Sequence, residues 1–190
     1  LDDPSGGLFE VVDPADGSPI AQVTDGGAAL ARQAADAAHA AFPAWRNETA
    51  KTRATLLRGW FDLVVRHTDD LARLASWEMG KPLAEAKGEV AYAAGYLEWF
   101  AEEAKRANGD VIPTPVAGRQ LLAVREPLGV AAVITPWNFP VAMIARKFGP
   151  ALAAGCTVVA KPAEDTPLSA LALVALAQQA GIPAGVINIV

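Results

Sequence analysis

Val130-Ala131-Ala132-Val133-Ile134, Thr157-Val158-Val159-Ala160 and Val186-Ile187-Asn188-Ile189-Val190 are three short apolar runs, and what lies between them decides the fold. Each has strand length and is rich in Val and Ile. An unbroken apolar run such as 130–134 predicts a strand buried on both faces of a parallel sheet. A helix over 140–154, closed by Gly155, separates the first two runs. Thr166-Pro167 predicts an N-cap with proline at the first helical position, and that helix runs to Ala180 before Gly181. The order is β-α-β-α-β, and right-handed crossovers make the three strands parallel. The fold class is α/β: half of a Rossmann-like, doubly wound parallel sheet.

Upstream the character changes. Two β-like runs, 9–12 and 20–23, flank the turn Asp13-Pro14-Ala15-Asp16-Gly17. Helical spacing follows over 28–42, 52–66, 70–79 and 83–105, with Lys81-Pro82 as a break. The Trp and Tyr residues of these helices read as core packing, and His39 and His67 as ordinary helix histidines. Residues 111–126 form an extended region, either an ordinary sheet edge or a strand that pairs with another subunit. Three segments result: 1–107, hairpin and helical block; 108–128, extended β segment; 129–190, parallel sheet and its helices.

Composition narrows the function. Among 190 residues, 52% are hydrophobic and 19% charged, so a sizeable core can form and disorder is not expected. Acidic residues number 21 against 16 basic, without the basic run that a nucleic-acid binder gathers. One cysteine, Cys156, allows neither an internal disulfide nor a multi-cysteine metal site, and fits a reducing cytoplasm. Residues 166–190 carry no charge, but Pro167, Gln178, Gln179, Gly181, Pro183 and Gly185 interrupt them, so no membrane span is expected. The start, Leu1-Asp2-Asp3-Pro4, lacks the basic and apolar parts of a secretory signal.

Ligands of open α/β sheets bind beyond the carboxyl ends of the strands. Two proline-stiffened loops leave such ends: Thr135-Pro136-Trp137-Asn138-Phe139-Pro140 and Lys161-Pro162-Ala163-Glu164-Asp165-Thr166-Pro167. If their strands are neighbours, Trp137, Asn138, Lys161 and Glu164 face one crevice. Glu164 can accept from the two hydroxyls of a ribose and Lys161 can donate to the same sugar. Asn138 offers an amide donor suited to a developing oxyanion, a contact worth on the order of 3 kcal/mol in catalysis. From spacing alone, Trp137 packing, Asn138 capping a helix and a solvated Lys161–Glu164 pair stand as equal alternatives. No Gly-x-Gly-x-x-Gly follows a strand, so phosphate binding of the usual Rossmann kind is not indicated.

At these residues, together with Gly149-Pro150-Ala151-Leu152-Ala153-Ala154-Gly155-Cys156 and Pro183-Ala184-Gly185-Val186-Ile187-Asn188, the whole chain resembles the NAD(P)-dependent aldehyde dehydrogenase superfamily. The resemblance implies that the fold is the N-terminal part of the aldehyde dehydrogenase fold. Met79-Gly80-Lys81-Pro82-Leu83-Ala84-Glu85-Ala86, residues 96–106 and Ile144-Ala145-Arg146-Lys147 are similar to the succinate-semialdehyde dehydrogenases within it.

The resemblance implies that Asn138 supplies the side-chain donor of the oxyanion hole. It further implies that Ile134, Thr135, Pro136 and Trp137 line the cofactor cleft, that Lys161 and Glu164 hold the adenosine ribose, and that Arg146 binds the substrate's distal carboxylate. A guanidinium suits a carboxylate because it can bond bidentately. The expected reaction is oxidation of an aldehyde, succinate semialdehyde to succinate. Glutarate semialdehyde, another aliphatic aldehyde or a non-catalytic assembly module are the alternatives. A carboxylate at Glu164 repels a phosphate on the ribose, so NAD is the expected cofactor, with NADP use left open by the adjacent Lys161. A small aldehyde, no nucleic acid, no membrane, no metal and a homo-oligomer, dimer or tetramer, complete the expectation.

The family's nucleophilic cysteine and general-base glutamate have no counterpart in these 190 residues. Cys156, between Gly155 and Thr157 with no charged neighbour in sequence, is not a substitute. The chain alone is therefore expected to be inactive. Because it ends inside its third strand, it reads as a truncated N-terminal portion.

Overall fold

A computed structural model describes residues 7–190, and the Leu1-Asp2-Asp3-Pro4 start lies outside the described residues. Strands β1 (Gly7–Val12) and β2 (Pro19–Asp25) pair antiparallel. The intervening turn closes on aspartate side chains, with Asp13 accepting from the Ala15 amide at 2.8 Å and Asp16 from Ser18 at 2.9 Å. Four helices follow: α1 (Gly27–Asn47), α2 (Ala50–Arg66), α3 (Thr68–Met79) and α4 (Leu83–Glu103), the last tightening into a 3-10 turn at Ala104–Arg106. Helix α1 continues through Pro43, past the end expected from the sequence. Both Pro43 and His39, whose carbonyl loses its amide partner, are exposed, so water can satisfy that carbonyl.

Strands β3 (Asp110–Ile112) and β4 (Leu121–Ala123) form a short antiparallel hairpin exposed along its whole length. The parallel sheet then runs β5 (Val130–Ile134), α5 (Ala142–Ala154), β6 (Thr157–Lys161), α6 (Pro167–Gln179), β7 (Ile187–Ile189), in spatial order β5-β6-β7. The register aligns Ile134 with Lys161, so both strands end at one level. The α/β reading thus holds.

Expected burial fails at two places. Strand β5 is not buried on both faces. Val133 is buried and Ala131 packs against the core, while Val130, Ala132 and Ile134 are exposed. The strand is an edge of the described sheet, and an apolar run cannot distinguish edge from centre. The aromatic residues also divide. Trp60 is fully buried, tilted against Phe148 at 6.3 Å, and its indole donates to the Leu173 carbonyl at 3.0 Å. Tyr92, Trp77 and Trp99 are half exposed or more, a difference of helical phase that composition hides.

The core lies between α2–α4 and the α5/α6 layer, from Trp60, Leu57 and Leu97 to Phe148, Leu152 and Leu173. Helix α1 lies directly against the sheet: Thr157 donates its hydroxyl to the Ala38 carbonyl at 2.9 Å. At Gly185, where φ is 80°, a Cβ would come within 3.1 Å of the Ala37 carbonyl oxygen, so glycine is required both for the turn and for the approach.

Candidate active site

The loop between β5 and α5 is held almost atom by atom. The Thr135 amide donates to the Lys161 carbonyl at 3.2 Å, carrying the β5–β6 ladder one residue past the strand end. The Trp137 carbonyl accepts from the Thr166 hydroxyl at 3.3 Å, which ties this loop to the one after β6. The Asn138 carbonyl accepts from the Lys81 ammonium at 3.0 Å, and that ammonium stands 4.3 Å from the centre of the Phe139 ring. Lys81 also pairs with Glu89, with side chains 7% and 0% exposed. The other Glu89 oxygen accepts from the Val141 and Ala142 amides at 2.8 and 3.1 Å. Pro136 and Pro140 restrict the rest. The backbone of Asn138 is thereby fixed while its side chain stays exposed.

Glu89 is a remote cap. The first turn of any helix leaves amides without partners, and a carboxylate there satisfies them and complements the helix dipole. Glu78, at the end of α3, does the same for α6, accepting from the Leu168 and Ser169 amides at 2.7 and 2.8 Å. The sequence predicts a side-chain cap from Thr166 for α6. Thr166 occupies the cap position but makes no capping bond, its hydroxyl being committed to Trp137. Burial raises the Glu78 carboxyl above its ordinary value, and the hydrogen bonds from Ser169 and Leu168 offset part of that rise. With carboxylates on their amides, these two helix starts cannot serve as phosphate sites, although a helix N-terminus at the carboxyl end of a sheet commonly does.

Sequence reading misses Lys81, Glu89 and Glu78. A signal exists: Glu89 falls between the buried Ala86, Val90 and Ala93, and Glu78 follows Leu71 and Ala75 on the buried face. A carboxylate on an apolar helix face needs a partner.

The residues singled out from sequence fall into two groups. At the strand ends, Ile134 is exposed, Thr135 buried, and Pro136 and Trp137 exposed. Beside them, Lys161 donates to Glu164 at 2.7 Å, and that bond holds the Glu164 carboxyl below its usual range. Trp137 and Glu164 line a cleft of about 290 Å³ with Val11, Val12 and Glu78. The second group follows α5, with Asn138 leading into the helix and Arg146 exposed a turn beyond its start. Asn138 and Lys161 are not among the residues lining the cleft, so the four-residue crevice expected from the sequence is only partly assembled. Cys156 precedes the first residue of β6, whereas Lys161 is its last. At about 3.3 Å per residue Cys156 lies at the opposite end of β6 from the loops.

The family described as "Aldehyde dehydrogenase family" matches residues 2–190. The chain is 59% identical over 190 residues to succinate-semialdehyde dehydrogenase [NADP(+)] of Escherichia coli, covering 100% of this chain and 39% of that protein. It is 58% identical over 190 residues to glutarate-semialdehyde dehydrogenase of Pseudomonas putida, covering 100% and 40%. A crystal structure of an E. coli NADP dependent enzyme superposes with a TM-score of 0.98 at 59% identity, covering 100% of this chain and 40% of that one. The chain thus spans about two fifths of the length of these relatives.

Proposed function

The chain belongs to the aldehyde dehydrogenase family, and from that premise we propose that it serves as the cofactor-side portion of an NAD(P)-dependent dehydrogenase. The substrate is an aldehyde with a carboxylate at its far end, foremost succinate semialdehyde. The observation that carries this reading is the arrangement along α5. An amide donor, Asn138, precedes the helix, and a guanidinium, Arg146, stands exposed one turn inside it, about 6 Å past Ala142. Among the described residues Arg146 enters none of the ion pairs. Succinate and glutarate semialdehydes, the substrates named for two relatives, share an aldehyde at one end and a carboxylate at the other.

In this reading Asn138 donates to the oxygen that gathers charge as the carbonyl is attacked. Its fixed backbone means that little reorganisation accompanies the reaction. Arg146 holds the carboxylate and thereby aims the carbonyl at Asn138. Ile134, Thr135, Pro136 and Trp137 line the cofactor cleft, and Lys161 with Glu164 grips the adenosine ribose. The side chains present suit such a group: an exposed carboxylate and ammonium joined at 2.7 Å offer acceptors and donors for a diol. When bound, the nicotinamide supplies the acceptor for the electrons leaving the aldehyde. Glu164 disfavours a phosphate on the ribose and Lys161 offsets that charge, so NAD is preferred and NADP accepted. The nucleophile and general base belong to the remainder of such a subunit, and the exposed β3–β4 hairpin to its contact with another subunit.

The test is Arg146→Ala in the complete subunit, assayed with succinate semialdehyde and with the uncharged butanal. Loss of a charge-assisted bidentate contact lowers the preference for the acid about 10- to 100-fold. An unchanged preference refutes the substrate assignment.

A further inference from the structure

Tyr92 and Tyr96 are four residues apart on α4 and therefore share a face. Their ring centres are 4.8 Å apart at 57°, and the Tyr96 hydroxyl donates to that of Tyr92. Two phenols own two O–H bonds; one is used between the rings, so that of Tyr92 stays available on a half-exposed side chain. From α5, the guanidinium of Arg146 lies 5.6 Å from the centre of the Tyr96 ring. The contact depends on Gly149, one turn further along α5. A Cβ there would lie 3.1 Å from the Phe100 ring and 3.4 Å from the Tyr96 carbonyl oxygen, so the missing side chain lets the helices close. The bond to Tyr92 raises the Tyr96 phenol above its ordinary value of 10.0, against the opposing pull of Arg146.

We infer that Tyr92 and Tyr96 are specificity-determining residues which, with Arg146, form one anion-receiving cluster for the carboxylate end of the aldehyde. The inference rests on the substrate reading given above and extends it to residues on a second helix. Each member contributes differently. Tyr96 restrains the guanidinium through its ring face, which lowers the freedom lost on binding. Arg146 supplies charge and paired donors along one edge of the carboxylate. A carboxylate has about four lone-pair sites, so acceptor capacity remains for the Tyr92 hydroxyl. A phenol donating to an anion makes a short, directional bond, which discriminates against an uncharged chain end.

The experiment uses the complete subunit and the ratio of kcat/KM for succinate semialdehyde to that for butanal. Tyr92→Phe removes the free donor and keeps the ring. It is expected to lower the ratio about tenfold, chiefly through a higher KM for the acid. Tyr96→Leu removes the ring beneath the guanidinium and is expected to lower it at least as far. Thermal unfolding at the wild-type temperature separates a lost contact from a lost fold. If Arg146→Ala abolishes the preference while both tyrosine variants keep it, the tyrosine assignment is overturned and the carboxylate reading stands. If Arg146→Ala also keeps the preference, both fall.

Discussion

Lys81 and Glu89 offer a perturbation whose magnitude can be worked from contacts. Both side chains are buried, and the two Glu89 oxygens are used separately, one accepting the Val141 and Ala142 amides and the other facing Lys81. Lys81→Met keeps the length of the side chain and removes the ammonium, leaving a buried carboxylate without its counter-charge. Breaking such a pair from one side costs about 3–5 kcal/mol. The lost bond to the Asn138 carbonyl adds about 1 kcal/mol. In a chain of this size the pair alone corresponds to a fall in Tm of about 6–20 °C. Glu89→Gln keeps the oxygen that accepts both amides but turns an NH2 toward the ammonium, and is destabilising for the converse reason. The double variant contains neither charge and retains the amide contacts, so it is expected within about 2 kcal/mol of wild type. Urea unfolding followed by the fluorescence of the buried Trp45 and Trp60 measures all four proteins. A double-mutant coupling of at least about 3 kcal/mol is expected. A Lys81→Met loss below about 1 kcal/mol, or strict additivity, would refute the reasoning.

Glu78, whose carboxyl is raised by burial, keeps its proton in the folded state at pH values where the unfolded chain has released it. Its stabilisation is therefore full below the ordinary value of 4.5 and is lost as pH rises through the folded-state value. Wild type should lose ground relative to Glu78→Gln across that window, and a difference flat from about pH 4 to 8 contradicts the assignment. Thr49 caps α2 by accepting from the Thr52 amide at 3.0 Å. Thr49→Ala should cost about 1 kcal/mol in urea unfolding, and Thr49→Ser almost nothing. Lys161→Ala leaves the Glu164 carboxylate uncompensated, so catalytic efficiency of the complete subunit should fall further with NADP than with NAD. Equal losses would exclude Lys161 as the group that tolerates the extra phosphate.

The parallel unit is legible because its signals are local: Val and Ile runs, Gly155 in the left-handed region, and Pro167 at a helix start. Loop residues such as Trp137 and Glu164 are legible for the same reason, since strand ends and prolines mark where a loop must stand. What escapes depends on partners distant in sequence. Glu78 meets α6 across 91 residues and Glu89 meets α5 across 52, and nothing near either glutamate names its partner. The half-exposed positions of Tyr92 and Trp99 depend on which face of α4 is covered by α2, α3 and α5. An alternation of aromatic and small residues does not fix that choice.

The two remote caps also bear on how this polypeptide can be assembled and taken apart. Segments 1–107 and 129–190 look separable on paper, as a helical bundle and a nucleotide-type sheet. Yet four amides at the starts of α5 and α6, those of Val141, Ala142, Leu168 and Ser169, find their acceptors on α3 and α4. A ribosome would deliver the acceptors before the helices that need them. In that order α5 and α6 emerge against a prepared surface. Expressed without residues 68–103, the same helices would start with bare amides, and grafting the sheet onto a foreign bundle would require both glutamates to travel with it.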